Sequence, residues 1–458
     1  MTVLRRGLIA CGLALALGVS TAACGSNGDP PSTSDQTDGQ VTISVMGLPP
    51  ATNAESRQAF LDQVAAFEKA NPDIKIKPSD APWDVKTFAA KMAGGRAETV
   101  LKIPLTEPPG LIERKQVADI TVEAKKLPEF ASFDPKVMEI LSSEGKVYGL
   151  PESIYALGLV YNRKLFTQAG LDPDDPPDTW EEFRHAADQI AEKTGKIGYG
   201  ALTTNNSGGW HLTAMTYANG GTMQDLVDGK PTATFNNAPT LEALKLLHDM
   251  RFVDDSMGTQ QLRKGEDASP AFAAGEIGMW INAPQAYNSY ITLFKGDPAD
   301  FGAASLPQGG GDGTLAGGTV LMVTAKASDA ERAAAVKWIE YSSILPSYDT
   351  AAAVTVAKAR AADKLPVGVP VLPVFDQATV DKVDAAIKPY VNVPTEQFAP
   401  YVERTKDLAF VPEPAIAAQD LYAALDPVVQ AVLTNKDADP AALLAAAEDQ
   451  VNAILRRQ

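Results

Sequence analysis

Apolar residues alternate with polar ones at Val41, Ile43 and Val45, a period of two that predicts a strand opening the folded body. After the turn Gly47-Leu48-Pro49-Pro50 the period lengthens. Phe60, Val64 and Phe67 share one face of a helix beginning near Ala54, and Asn71-Pro72 stops it. Ile74 and Ile76 return to strand spacing. A helix carrying Phe88 and Met92 ends at Gly94-Gly95, and Thr99 to Ile103 gives a third strand, followed by the loop Pro104 to Gly110. Strands alternating with helices predict a parallel, doubly wound α/β sheet, in which ligands sit beyond the carboxyl ends of the strands. The loops at 46–53, 80–84 and 104–110 are therefore expected to line one wall of a cleft.

The pattern changes again between Gly149 and Phe166. Leu157, Leu159 and Tyr161 alternate with Ala156, Gly158 and Val160, so both faces are apolar or small, as in a strand buried on both sides. Thr179 with Glu182 three residues later is a capping box, and Phe183, Ala187 and Ile190 form the apolar stripe of the helix it opens. Ile197 to Leu202 reads as a short strand. The polar, glycine-rich loop Thr203 to Trp210 then enters a helix, and Leu241, Leu244 and Leu247 mark another. Leu306-Pro307 and the glycines up to Gly313 predict a flexible crossing, and Gly317-Gly318-Thr319 precedes a strand from Val320 to Val323. Ser328 with Glu331 caps a further helix. Leu365 to Pro370 is punctuated by prolines, and the remainder carries helical stripes at Val380, Val383 and Ile387 and at Val428 and Val432.

Several stretches in this order carry a resemblance: Tyr148-Gly149-Leu150-Pro151, Tyr161-Asn162-Arg163-Lys164-Leu165-Phe166-Thr167-Gln168-Ala169-Gly170-Leu171, and Pro176 to Phe183. Together they resemble the extracellular solute-binding proteins of bacterial ABC importers, in the carbohydrate-binding branch that includes maltose-binding protein. The segment Phe272 to Pro284 is similar to the family's Phe-x-x-Gly-x-x-Ala-Met, strand, Gly-Pro-Trp segment, with Ala283 and Gln285 in place of the glycine and tryptophan. Glu98-Thr99-Val100 stands where the family usually has Pro-Asp-Val. The resemblance implies a two-lobed periplasmic-binding-protein-like fold of type II, each lobe a doubly wound, mainly parallel sheet and discontinuous in sequence. Residues 41–153 with 315–362 would form lobe one, and 157–308 with 368–458 lobe two.

The 458 residues suit two lobes, and 21% charged residues beside a full apolar set argue for a folded body. A net charge of −17 disfavours nucleic acid as a partner and speaks against a polyanionic ligand. Arg5 and Arg6 precede an apolar run from Leu8 to Val19, which predicts a signal peptide over 1–23. Ser20-Thr21-Ala22-Ala23-Cys24 resembles a lipoprotein cleavage box, with Thr21 where the usual box has Leu. Of the two cysteines, Cys11 lies inside the signal, so Cys24 is expected to carry acyl chains and anchor the protein to the outer face of the cytoplasmic membrane. The polar residues from Gly25 to Gln40 suit a tether.

His185, His211 and His248 are scattered, and no zinc motif, nucleophile elbow or phosphate loop occurs, so neither a metal, a cofactor nor an enzyme is expected. Capture by closure of two lobes is. Sugars need flat aromatic faces against their C–H surfaces and carboxylates or amides against adjacent hydroxyls. The candidates from lobe one are Trp83, Asp84, Thr106 and Glu107, with Glu152 and Tyr155 at the first crossing. Asn206, Trp210, Trp280, Asn282 and Gln285 face them from lobe two; Gly317, Gly318 and Thr319 offer backbone amides at the return crossing, and Tyr422 a further aromatic. The expected partners are a carbohydrate, the permease subunits and the membrane, with a monomeric chain. A glycerol phosphodiester, polyamine or peptide on the same fold is the alternative, and a secreted enzyme a more distant one. A phosphorylated ligand would want an arginine or a helix N-terminus in the cleft. The anchor is testable on the native protein: Cys24→Ala should release it to the medium or leave it unprocessed, whereas mass spectrometry showing an unmodified N-terminus elsewhere would exclude lipidation.

Overall fold

The computed structural model describes residues 39–84 and 87–457; the segment 1–23, Cys24 and the tether up to residue 38 lie outside them. Two sheets organise the chain. In the first, Val41–Met46 pairs in parallel with Ile74–Ser79 and with Val100–Pro104. The long strand Gly313–Val323 closes this sheet, antiparallel to Val100–Pro104 on one edge and to Gly149–Ala156 on the other. Ala409–Pro412 adds in parallel to its first residues, Gly313 to Ala316. In the second sheet Gly158–Asn162 is central, antiparallel to both Phe301–Ser305 and Ile277–Asn282, and Ile197–Tyr199 joins the latter in parallel. The fold is the expected two-lobed α/β type, but its sheets are mixed rather than mainly parallel, because the returning strands run against their neighbours.

Sequence signals position the helices that cover these sheets. The predicted capping box at Thr179 is made, Glu182 N donating to Thr179 Oγ1 and Glu182 Oε2 accepting from Thr179 N, and it opens the helix Trp180–Thr194. Ser328 and Glu331 do the same for Asp329–Ile339. Asn53 accepts from Ser56 N at the start of Ala54–Ala70, whose Val64 and Phe67 are buried. All five residues of Gly158–Asn162 are buried, as the two-sided apolar pattern implied. Each large side chain there contributes about 1.5–3 kcal/mol by leaving water.

The chain crosses between the sheets at two neighbouring places. Ala156 ends one strand and Gly158 begins the other, so Leu157 is the crossing residue; the return runs from Ser305 to Gly313. Hydrogen bonds stitch the crossings together: Leu157 N donates to Leu315 O (2.9 Å), and Thr314 Oγ1 donates to Leu157 O (2.6 Å). The glycines before Gly313, read as a flexible connection, are tied down instead. Gly309 N and Gly311 N both donate to Ala218 O, at the end of the helix Ser207–Ala218, whose last carbonyls need partners. Val374 and Phe375, placed by the sequence in lobe two, pack in the core of the first sheet, where Phe375 stacks on Phe133 at 4.3 Å. Their apolar side chains find that core because the chain loops back after Leu365–Pro370 before returning to the second lobe.

Trp280 belongs to neither wall of a cleft. It is 3% exposed within a cluster with Phe272, Tyr290 and Phe301 behind the second sheet, so the candidate ligand contact is a core residue. Its strand is covered on both faces, which leaves no path to a solute. Trp280→Ala should therefore lower stability by about 3–5 kcal/mol. Chemical denaturation should show that loss, while the folded variant should bind its solute with unchanged affinity.

Candidate functional site

Glu413 lies in the extended segment Phe410-Val411-Pro412-Glu413-Pro414, just beyond the edge strand Ala409–Pro412. Four aromatic side chains converge near it. The Tyr422 phenol, from the helix Ala418–Thr434, donates to Glu413 Oε1 at 3.1 Å, and the Trp210 indole N–H is a further donor. Tyr155 meets Trp210 edge-to-face with ring centroids 6.3 Å apart, a favoured arrangement. Tyr217 hydrogen-bonds Pro412 O at 3.2 Å. Two glycines make this crowding possible. A Cβ on Gly317 would come within 2.8 Å of Tyr155 Oη, and one on Gly209 within 2.6 Å of Tyr422 Cα. Without side chains there, the long strand can take the Tyr155 ring and the helices Ser207–Ala218 and Ala418–Thr434 can lie close.

Polar groups bridge the two lobes beside this cluster. Asn206 Nδ2 donates to both Gln419 O and Gln419 Oε1 at 3.0 Å, and Gln419 Nε2 donates across to Thr106 Oγ1 at 3.3 Å. Asn206 sits at φ 68, with its backbone N–H donating to Asp426 Oδ2, while Gly209 N donates to Asp426 Oδ1. The buried Asp426 thus satisfies the start of the helix that carries Trp210.

The electrostatics of the site are set by burial. Desolvation pushes the Glu107 carboxyl up to about 7, with Arg114 pulling it down and Asp420 pushing it up. Burial likewise pushes Glu413 up to about 7; Tyr422 and Trp210 counter it by hydrogen bonding, and Glu107 adds repulsion. Glu413 is half-buried and still reaches the cleft. The phenols of Tyr155, Tyr217 and Tyr422 are raised by burial and by the Glu413 charge, so they remain neutral donors. His211, stacked on Trp210 at 5.2 Å and 3% exposed, is pushed down to about 3 by burial and is a neutral ring.

Of the residues singled out from sequence, Thr106, Glu107, Tyr155, Asn206, Trp210, Gly317 and Tyr422 come together here. Others do not. Trp83 leans on the first core against Phe88, and Asp84 accepts from Thr87 N and Thr87 Oγ1 at the start of the helix Phe88–Ala93. Glu152 is occupied by Lys102 (2.7 Å) and by Ser343 Oγ (3.1 Å). Asn282 accepts from the neighbouring Ala283 N, and Gln285 donates to Pro370 O in the proline-rich crossing. Gly318 and Thr319 continue the ladder with Ile154 and Ser153, and Gly318 O accepts from Leu105 N. The sequence reading missed Glu413, Gln419, Asp420 and Tyr217. The prolines on either side of Glu413 were the available signal, since they mark an extended segment able to present a side chain.

A cleft of about 990 Å³ adjoins this cluster, with Thr106, Ala316, Ile154 and Glu413 among its lining residues. That is the size range of pockets that enclose small solutes. Among the described residues no group of three or more His, Cys, Asp or Glu is arranged to hold a metal, and no helix is long and apolar enough to cross a membrane.

Residues 51–343 match the family model described as bacterial extracellular solute-binding protein. An arabinooligosaccharide-binding protein from Bacillus subtilis (strain 168) is 24% identical over 205 residues, which are 43% of this chain and 45% of that protein. The chain spans about half to three fifths of the length of the curated relatives it matches. A solute-binding protein from Thermotoga lettingae TMO, solved with alpha-D-tagatose, aligns with TM-score 0.71 and 19% identity over 91% of this chain and 100% of that one. UgpB from Mycobacterium tuberculosis, solved with glycerophosphocholine, aligns with TM-score 0.70 and 17% identity over 92% and 100%. The family match covers well over half of the sequence and the shared fold nearly all of it: the chain belongs to the bacterial extracellular solute-binding proteins.

Proposed function

We propose that this chain captures a carbohydrate, from a monosaccharide to an oligosaccharide or glycoside, in the cleft between its lobes and delivers it to the permease subunits of an ABC importer. It would do so as a monomer held by lipid on Cys24 at the outer face of the cytoplasmic membrane. The division into 41–153 with 315–362 and 157–308 with 368–458, adjusted for Val374 and Phe375, describes the two bodies that would close. The observation that carries the reading is the convergence of Thr106 and Glu107 from one lobe with Trp210, Tyr422 and Glu413 on the other side of a cleft. Carboxylates accept from adjacent hydroxyls, neutral phenols donate to ring oxygens, and the Trp210 and Tyr155 faces cover C–H surface. Hydrogen bonds to charged groups are worth about 1.5–3 kcal/mol each, and micromolar capture needs only about −8 kcal/mol. The same carboxylates work against an anionic solute, since Glu107, Glu413 and Asp420 lie close enough to act on one another. Delivery further requires that the solute favour the closed state, and groups on both walls supply that difference.

A thermal-shift screen against mono-, di- and oligosaccharides tests this directly, since a solute bound only by the folded state raises Tm. Absence of any shift across the set would count against a sugar. Trp210→Ala should weaken the sugar so identified by about 2 kcal/mol, roughly thirtyfold, through loss of one stacking face. Calorimetry reads that change, and unaltered affinity would remove Trp210 from the site.

The two raised carboxylates also set a pH dependence. Their folded-state values near 7 lie above the unfolded value of 4.5, so between these limits the folded protein holds more protons than the unfolded chain. Stability from this pair is therefore greatest at the acid end, falls as pH rises through the window, and levels off above about 7. Melts at about pH 5 and about pH 8 should show the fall, and Glu413→Gln should raise Tm at the higher pH and flatten the profile.

A further inference from the structure

The cleft is unevenly lined. Beyond Thr106 and Glu413 its first-lobe wall gathers the apolar side chains Leu105, Ile112, Val137, Ile140 and Ile154, with the hydroxyls of Ser142 and Ser143 beside them. Facing them on the edge strand Ala409–Pro412 is Phe410, 46% exposed although it is a large aromatic. Contiguous apolar surface left open in a folded protein marks a place where something apolar binds. Beside it the lobes touch through Gln419 and Thr106 at 3.3 Å. A sugar hydroxyl placed against this wall would give up water with no partner in exchange. The rim adds sign: Glu113, Asp134 and Glu139 stand against the one cation Lys136, so an anionic tail is disfavoured.

We propose that the natural solute is an amphipathic glycoside, its hydroxyls held at the Glu107–Glu413 end and an uncharged alkyl or aryl aglycone seated between the Leu105–Ile112–Val137–Ile140–Ile154 wall and Phe410. This rests on the carbohydrate reading above and narrows it to a sugar bearing an apolar substituent.

Two measurements on the folded chain test it. The first titrates the neutral fluorophore N-phenyl-1-naphthylamine, which brightens in apolar surroundings. One saturable site is expected, weakened at least tenfold by Phe410→Ala and by Ile140→Gln. Phe410 is too exposed for its loss to unfold the protein, so it guards against misreading a destabilised Ile140 variant. No saturable site, or binding indifferent to both substitutions, would overturn the proposal. The second compares n-alkyl glycosides of the sugar returned by the saccharide screen, from methyl upward. Affinity should rise about fourfold per methylene until the chamber is filled. A flat series in which the free sugar still binds would overturn the aglycone seat and leave the carbohydrate reading standing. Failure of every sugar, with or without a tail, would remove both.

Discussion

Two strands lying side by side at the crossing between lobes are the constraint on which the molecule depends. Gly313–Val323 pairs along one edge with Gly149–Ala156, so the segment entering the second lobe and the segment leaving it form one antiparallel ladder. Thr314 and Leu315 bond to Leu157, where the chain changes sheets. Fixing these strands fixes the distance between the lobes, and everything that must face across the cleft is hung from them. Ile154 and Tyr155 come from one strand, Ala316 and Gly317 from the other, and Ala409–Pro412 lies along the second to deliver Phe410 and Glu413. A shift of one residue in this ladder would turn each of these side chains to the opposite face.

The same arrangement explains why the site is electrostatically poised. Close packing of the helices Ser207–Ala218 and Ala418–Thr434 brings Trp210 and Tyr422 onto Glu413, and that aromatic surface is what strips the carboxylate of water. Glu107 suffers the same loss on the facing wall. Elsewhere the protein neutralises such groups directly. Glu152 has Lys102, and the largely buried Glu98, which stands at the departure from the family pattern, is held by Lys91 and Ser79. Among the described residues no ion pair of that kind forms at Glu107 or Glu413, so a solute with hydroxyls to donate would offset the desolvation that the fold imposes.

Local rules decided much of the architecture from sequence. The capping pairs Thr179–Glu182 and Ser328–Glu331 depend on atoms three residues apart, and the two-sided apolar strand through Leu159 and Tyr161 depends on side-chain alternation alone. Those signals need no tertiary context, and each element formed where the pattern put it. The order of motifs, with their spacing, carried the family and hence the two-lobed fold.

What a side chain faces is another matter, because it depends on partners far away in the chain. Trp83, Trp210 and Trp280 are chemically alike, yet one leans on the first core, one meets Tyr155 edge-to-face beside Glu413 and one is buried behind a sheet. Glu152 looked available until Lys102, fifty positions earlier, was brought beside it across the intervening strand Gly313–Val323. Glu413 looked ordinary because its neighbours in space, Trp210 and Tyr155, lie more than two hundred residues earlier in the chain. The sequence alone determined the elements, their order and the family they build, since periodicity and capping act over a few residues. Only the tertiary structure decided which carboxylates are paired, which aromatics are exposed and where the cleft turns apolar, since burial and charge are set by contacts made after the chain has folded.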